Sequence, residues 1–329
     1  MSETTAAAKT PLWWRVDAAV ITHRPWETLI MRAALAALVW FETDWVLTEA
    51  YQGTPPNPEG LAHLPGAAFF AQPMVGGAMM WLSLAGLLLY ALGRLPVLTL
   101  LPTLFGNVMI GSIKNSQGAI NHSDQLLSMV LLTAWLVYLW AAIRRRPPQF
   151  SETAGPATSA CWNPGHHWQL LSIHWIKITV AAAYVVSALQ KWIDSDLQWI
   201  WRAPWLAVQI IKNNRAEYYS KLELTDSWLT TGLPQMILDH PNLARVVFGS
   251  GLLLETFAFL ALISRRWSFA LGLALIGLHL SISVIMNLNF EIHMWLIGIF
   301  LVNLPGVMFM WKSKADHTPL AECSLWQKA

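Results

Sequence analysis

Charge is scarce in this chain. Only 12% of its 329 residues are Asp, Glu, Lys or Arg, against about 25% in an ordinary soluble domain. Cysteine is nearly absent: Cys161 and Cys323 lie far apart in polar stretches without CxxC spacing, which argues against a structural disulfide and a thiolate metal site. No HExxH pair, Gly-rich phosphate loop or GxSxG elbow occurs, so the zinc-protease, nucleotide-binding and hydrolase signatures are missing. A net charge of +2 with no basic nucleic-acid motif excludes nucleic acid as a partner. Met1 to Thr10 is polar and is not followed by a short apolar core with a cleavage site, so no removable signal peptide is expected.

What is abundant is apolar surface. Hydrophobic residues make up 55% of the chain, mean hydropathy is +0.42, and several apolar runs approach the roughly 20 residues that cross a bilayer. Twenty tryptophans suit the membrane–water boundary, where the ring lies among headgroups and the N–H stays wet. The pattern predicts an all-α, polytopic membrane helix bundle of about eight spans. They are read at Thr28–Leu47, Val75–Leu92, Val97–Ile113, Gln125–Ile143, Leu170–Leu189, Ala244–Ile263, Trp267–Asn287 and Ile292–Trp311. Residues 1–27 form an N-terminal segment, 28–311 the transmembrane domain and 312–329 a polar tail. Inside the domain, residues 190–243 are Trp-rich and mixed in charge; their apolar stretch Trp205–Ile211 is too short to cross and is read as an interfacial or re-entrant helix. Arg94, Arg144 to Arg146, Arg265, Arg266, Lys312 and Lys314 all fall on one side of this arrangement. That side is the cytoplasmic one, with both termini, in a bacterial inner membrane.

Ionisable groups within spans are costly and are therefore functional candidates. Glu255 stands mid-run in Leu252-Leu253-Leu254-Glu255-Thr256-Phe257, where a carboxylate must be neutral, paired or facing a polar cavity. His279, in Leu278-His279-Leu280, is either a satisfied core histidine or a group facing a ligand. Glu42 and Asp44 are equally well read as the solvated end of a helix or as functional acids. Asn121-His122-Ser123-Asp124 opens the fourth span, and its Ser and Asp also suit a helix N-terminus. Glu291 and His293 lie on the same side. So does Ser187 to Trp201, where an apolar run turns polar at Gln190, Lys191 and Trp192 and then meets Asp194 and Asp196. Lys191 has two readings. Partial desolvation lowers an amine's pKa and makes it a base; a terminal lysine also simply snorkels to water, and on the residues alone snorkelling is slightly favoured.

Three of these motifs carry a family resemblance. Asn121-His122-Ser123, then Ala188-Leu189-Gln190-Lys191 with an Asp and a Trp close behind, then the histidine of Leu278-His279-Leu280 resemble, in order and spacing, the membrane domain of the vitamin K-dependent γ-carboxylases. The wider group is the horizontally transferred transmembrane (HTTM) domain proteins, and the resemblance runs from about Thr28 to Trp311. It implies that Lys191 is the base that deprotonates a reduced, menaquinone-like quinone. In those enzymes oxygen addition then makes a strong base, which takes a proton from a substrate glutamate before CO₂ adds. His122 would help hold the quinone, with Asn121, Gln190, Trp192, Glu255, His279 and His293 lining the site, and no metal is expected. Gln190 stands where the carboxylases often carry a second lysine, and their large β-rich substrate-gripping region has no counterpart after Trp311. The other expectation is a non-catalytic membrane module that binds lipid, a partner membrane protein or an exported peptide through the Trp-rich segment. Transport through Glu42, Glu255 and His279 ranks last, because paired broken helices in matching halves are lacking.

Overall fold

Proline sets the starts of several helices, and left-handed residues set some of their ends. The computed structural model describes residues 23–47, 58, 60–64, 67–116, 122–144, 164–222 and 228–310. Helices α1 (Pro25–Glu42), α2 (Pro73–Ala91) and α3 (Pro96–Asn115) each begin on proline, whose missing N–H costs nothing in the first turn. Then follow α4 (His122–Arg144), α5 (Pro164–Asp194), the single turn α6 (Trp199–Arg202), α7 (Leu206–Lys221) and α8 (Leu233–Asp239). The chain continues through α9 (Pro241–Thr256), α10 (Arg265–Met286), α11 (Glu291–Leu296) and α12 (Leu304–Met310). Ser264 caps α10, its hydroxyl accepting from the Trp267 N–H at 3.3 Å. Asn287 then ends α10 in the left-handed region, which Asn tolerates better than most residues. The described residues are helical, with no strand.

Five segments are long and apolar enough to cross a membrane: α2, α3, α4, Trp168–Asp194 of α5, and α10. The protein is an all-helical, membrane-embedded one. The remaining expected spans take less regular forms. α1 stops at Glu42, where Thr43 turns extended and Asp44 is drawn to the Lys114 amine at 2.6 Å. α9 ends at Thr256 and goes on as a tighter 3₁₀ turn, Ala258–Leu262. α11 widens into a π-type turn, Ile297–Val302, and breaks at Asn303. In the Trp-rich segment, helix extends well past Ile211, to Lys221. Residues 1–22, 117–121, 145–163 and 311–329 lie outside the described residues, and with them Asn121, Cys161 and Cys323.

Helix α5 runs through the middle. Its buried Ile173, Ile176, Val180 and Tyr184 join a core with Met31, Leu35, Leu127, Leu131, Leu275, Leu296 and Phe300. A smaller core of Ala207, Ile210, Ile237 and Ala244 lies under α7 and α8. Large apolar side chains such as Trp81, Leu88, Val186 and Val284 point outward, as expected where lipid replaces water. Small residues let backbones touch: a Cβ on Gly86 of α2 would overlap the Thr99 carbonyl oxygen of α3, the close approach favoured between membrane helices.

Candidate functional site

The helical repeat of α5 arranges the chemistry. Residues seven apart return to nearly the same face of a helix, and on α5 that spacing links Lys177, Tyr184 and Lys191. Lys177 and Tyr184 are buried, while Lys191 is partly exposed near the helix end. Each meets a different set of partners.

At the Lys191 end, the ammonium donates to Glu255 Oε2 on α9 at 2.5 Å. The Glu255 side chain is 9% exposed and that of Lys191 34%. The carboxylate that looked isolated in an apolar run therefore has its cation, brought to it from 64 residues away. Next to the pair, Trp192 Nε1 donates to Thr256 Oγ1 at 3.1 Å, which ties α5 to the end of α9. Two turns down the same face, Tyr184 places its hydroxyl 2.6 Å from His279 Nε2 on α10. Both groups lie within electrostatic reach of the ion pair, Tyr184 of Glu255 and His279 of Lys191.

His279 in turn stacks among rings. Its centroid is 4.9 Å from Phe290 and 5.4 Å from His293, and Tyr184 lies 6.3 Å from His293. Ser123 Oγ of α4 is 3.2 Å from His293 Nδ1. The other ring nitrogen of His279, Nδ1, is buried and without a hydrogen-bond partner among the described residues. With the tyrosine donating to Nε2, Nδ1 carries the proton and is a free donor. A buried donor with nothing to meet is costly and marks a place where a ligand or water would be held.

Of the residues singled out in the sequence, Lys191, Glu255, His279, His293 and Trp192 thus gather around one region where α5, α9, α10 and α11 meet. His122 sits at its rim: the ring is exposed, bonds Gln125 Oε1 at 3.2 Å, and acts on His293 electrostatically. Gln190 faces away, donating to Asp194 Oδ1 at 2.7 Å. Asn121 lies outside the described residues. Glu42 and Asp44 belong to a separate shallow surface cluster with Asn107, Lys114 and Asp124, where Lys114 Nζ bridges Asp44 and Asp124 at 2.6 and 3.1 Å.

Sequence reasoning passed over Tyr184, the residue that joins the ion pair to the histidines. It also passed over the far end of α5. There Lys177, 2% exposed, donates to His23 Nε2 at 2.9 Å. The Glu27 carboxylate accepts from His23 Nδ1–H at 3.0 Å, which leaves Nε2 of the neutral ring as the acceptor facing the Lys177 amine. Asn303 Nδ2 donates to the same carboxylate oxygen at 3.3 Å, and Arg265 lies 3.7 Å from it. Burial, with the Lys177 charge beside it, holds the His23 imidazole far below its usual range, at about 4. The signal was present: Lys177 is an ionisable residue inside an expected span, in register with Lys191. No group of His, Cys, Asp and Glu among the described residues has metal-binding geometry. No protein-family model, curated protein or solved structure matches this chain.

Proposed function

We propose that the Lys191–Glu255 pair is the proton-accepting centre of a membrane-facing ligand site, and that the ligand is a hydroxyl-bearing aromatic molecule of the reduced-quinone class. The observation that carries this reading is the juxtaposition of a short, partly buried amine–carboxylate contact with the Tyr184–His279–His293 cluster. Neither group of the pair acts alone. As an ammonium, Lys191 cannot take a proton; with Glu255 at 2.5 Å, the carboxylate receives the proton while the amine's charge stabilises the anion left on the ligand oxygen. Phe290 and Trp192 offer flat apolar faces, and His279 Nδ1 offers a buried polar contact, so the residues present suit a ring that carries oxygens. A reduced quinone would supply an acidic hydroxyl and, toward oxygen, two electrons. The resemblance to the γ-carboxylase membrane domain puts the base at Lys191 itself, one member of this pair.

The finer topology belongs to this reading too. Eight crossings follow if α1, α9 with its 3₁₀ extension, and α11 with its π turn each traverse the bilayer beside the five regular spans. The segment from α6 to α8 then rests on the outer surface, re-entering only at its apolar edge. The cation-rich Glu27 end faces the cytoplasm of a bacterial inner membrane.

The test is oxygen uptake by the purified protein in nanodiscs after addition of a short-chain naphthoquinol, with binding followed by quenching of tryptophan fluorescence. Lys191→Gln and Glu255→Gln should each lower turnover by about 100-fold or more, the range of a lost acid–base or charge-stabilising group. Tyr184→Phe should lose less. Wild-type turnover in Lys191→Gln sinks the proposal. A second reading has its own observation: Trp201, Trp205, Tyr219 and Leu222 are 67%, 74%, 72% and 78% exposed on the Trp-rich segment. Quenching without oxygen uptake, together with a peptide or protein retained on that face, would favour a binding module.

A further inference from the structure

Arg32 is 5% exposed and belongs to the second turn of α1. Its Nε donates to the Thr28 carbonyl at 3.3 Å. Among the described residues its buried Nη1 has no hydrogen-bond partner and no carboxylate lies in ion-pair range of it. A guanidinium stays charged at every accessible pH, and a buried charge with no counter-ion is among the most unfavourable arrangements in a membrane protein.

The surroundings supply donors and neutral groups instead of an anion. Tyr90 and Tyr138, both buried, lie in reach of the guanidinium charge, and the Tyr138 hydroxyl approaches both Arg32 and Ser172. Gln169 of α5 and Arg32 converge under the turn between α2 and α3. A Cβ built on Gly93, which has φ +75°, would lie 2.5 Å from Arg32 Nη1 and 3.1 Å from Gln169 Nε2. Any side chain there would cover both donors; glycine leaves them one side chain's depth below the surface. The neighbours Leu92, Arg94 and Leu95 are exposed. Exposed Arg24 and Arg144 lie at this end of α1 and α4. Glu27 is the only carboxylate of the described residues at this end, and it is already held by His23, Asn303 and Arg265.

We propose that Arg32 and Gln169, beneath the Gly93 turn, form a binding site for a phosphate oxyanion, borne either by a lipid headgroup or by free phosphate. A fixed, planar guanidinium matches two phosphate oxygens at once. The second turn of a helix at the cation-rich end of the bundle also lies near headgroup depth.

The experiment uses full-length protein and thermal unfolding. In uncharged detergent, inorganic phosphate is titrated against chloride at matched ionic strength. In the same detergent, mixed micelles with added phosphatidylglycerol are compared with micelles carrying diacylglycerol, which lacks the phosphate. Wild-type protein should gain about 5 °C from one of these additions at saturation, and Arg32→Gln should lose that gain. Stabilisation by inorganic phosphate identifies a free oxyanion site, and stabilisation by phosphatidylglycerol alone identifies a headgroup site. Should Arg32→Gln fail to fold, Gln169→Leu, which keeps the guanidinium, must weaken the response at least several-fold. No response in wild type, or an equal response in the variants, overturns the proposal and leaves Arg32 as a packing residue.

Discussion

Two glycines on one helix offer a sharp test of how α2 packs. Gly86 faces α3 so closely that a Cβ would overlap the Thr99 carbonyl oxygen, whereas a Cβ on Gly77 would meet nothing within 4 Å. Both positions are inside α2, so Ala in place of Gly brings the same gain in helix propensity, about 1 kcal/mol. At Gly86 the two backbones must also part by about 1 Å to reach ordinary contact distance. Overpacking costs about 1–3 kcal/mol, and a clash with backbone falls in the upper part of that range because no rotamer relieves it. Gly86→Ala is therefore expected to destabilise by about 1–2 kcal/mol net, and Gly77→Ala to be neutral or to stabilise by up to about 1 kcal/mol. Unfolding by sodium dodecyl sulfate in mixed micelles, followed by tryptophan fluorescence, reads the difference. Equal effects within about 0.5 kcal/mol would refute the packing argument.

Two other outcomes follow from the polar contacts. His23 has a folded pKa of about 4 against 6.5, so between those values the unfolded chain binds more protons. Stability is then full above about pH 6.5 and falls as pH drops toward 4, by at most about 3 kcal/mol. His23→Leu should flatten that part of the pH profile of the unfolding midpoint; an unchanged slope speaks against a buried neutral imidazole. Asn107 joins three helical segments, donating to Thr43 Oγ1 at 2.9 Å and accepting from Ser128 Oγ at 2.7 Å. Asn107→Leu should cost about 1–3 kcal/mol by stranding both hydroxyls, and adding Thr43→Val and Ser128→Ala should recover much of it.

Apolar run length was legible in the sequence, because each span must satisfy its own backbone and show a continuous apolar surface. Boundaries were less so: α2 and α3 begin at Pro73 and Pro96, before the expected Val75 and Val97, and α5 begins at Pro164, six residues before the expected Leu170. Faces were not legible. Glu255 looked stranded because its partner lies 64 residues earlier on another helix, and nothing local reports that distance. Tyr184 was invisible for a related reason: an aromatic in an apolar run reads as packing until a histidine is found opposite its hydroxyl. Lys177 is different, since its charge within the run was plain and only its pairing with His23 was hidden. The irregular ends of α1, α9 and α11 have no strong residue signature apart from Asn303, so continuous spans were the natural expectation there.

The lysines of α5 also occupy different electrical depths. Fourteen residues of helix rise about 21 Å, roughly 70% of a 30 Å hydrocarbon layer for a helix near the membrane normal. A membrane potential of 100 mV then separates the work of holding a proton at Lys177 from that at Lys191 by about 1.6 kcal/mol. An energised membrane thus shifts the relative proton affinity of the two ends of one rigid rod by roughly fifteenfold, with no movement of the rod at all.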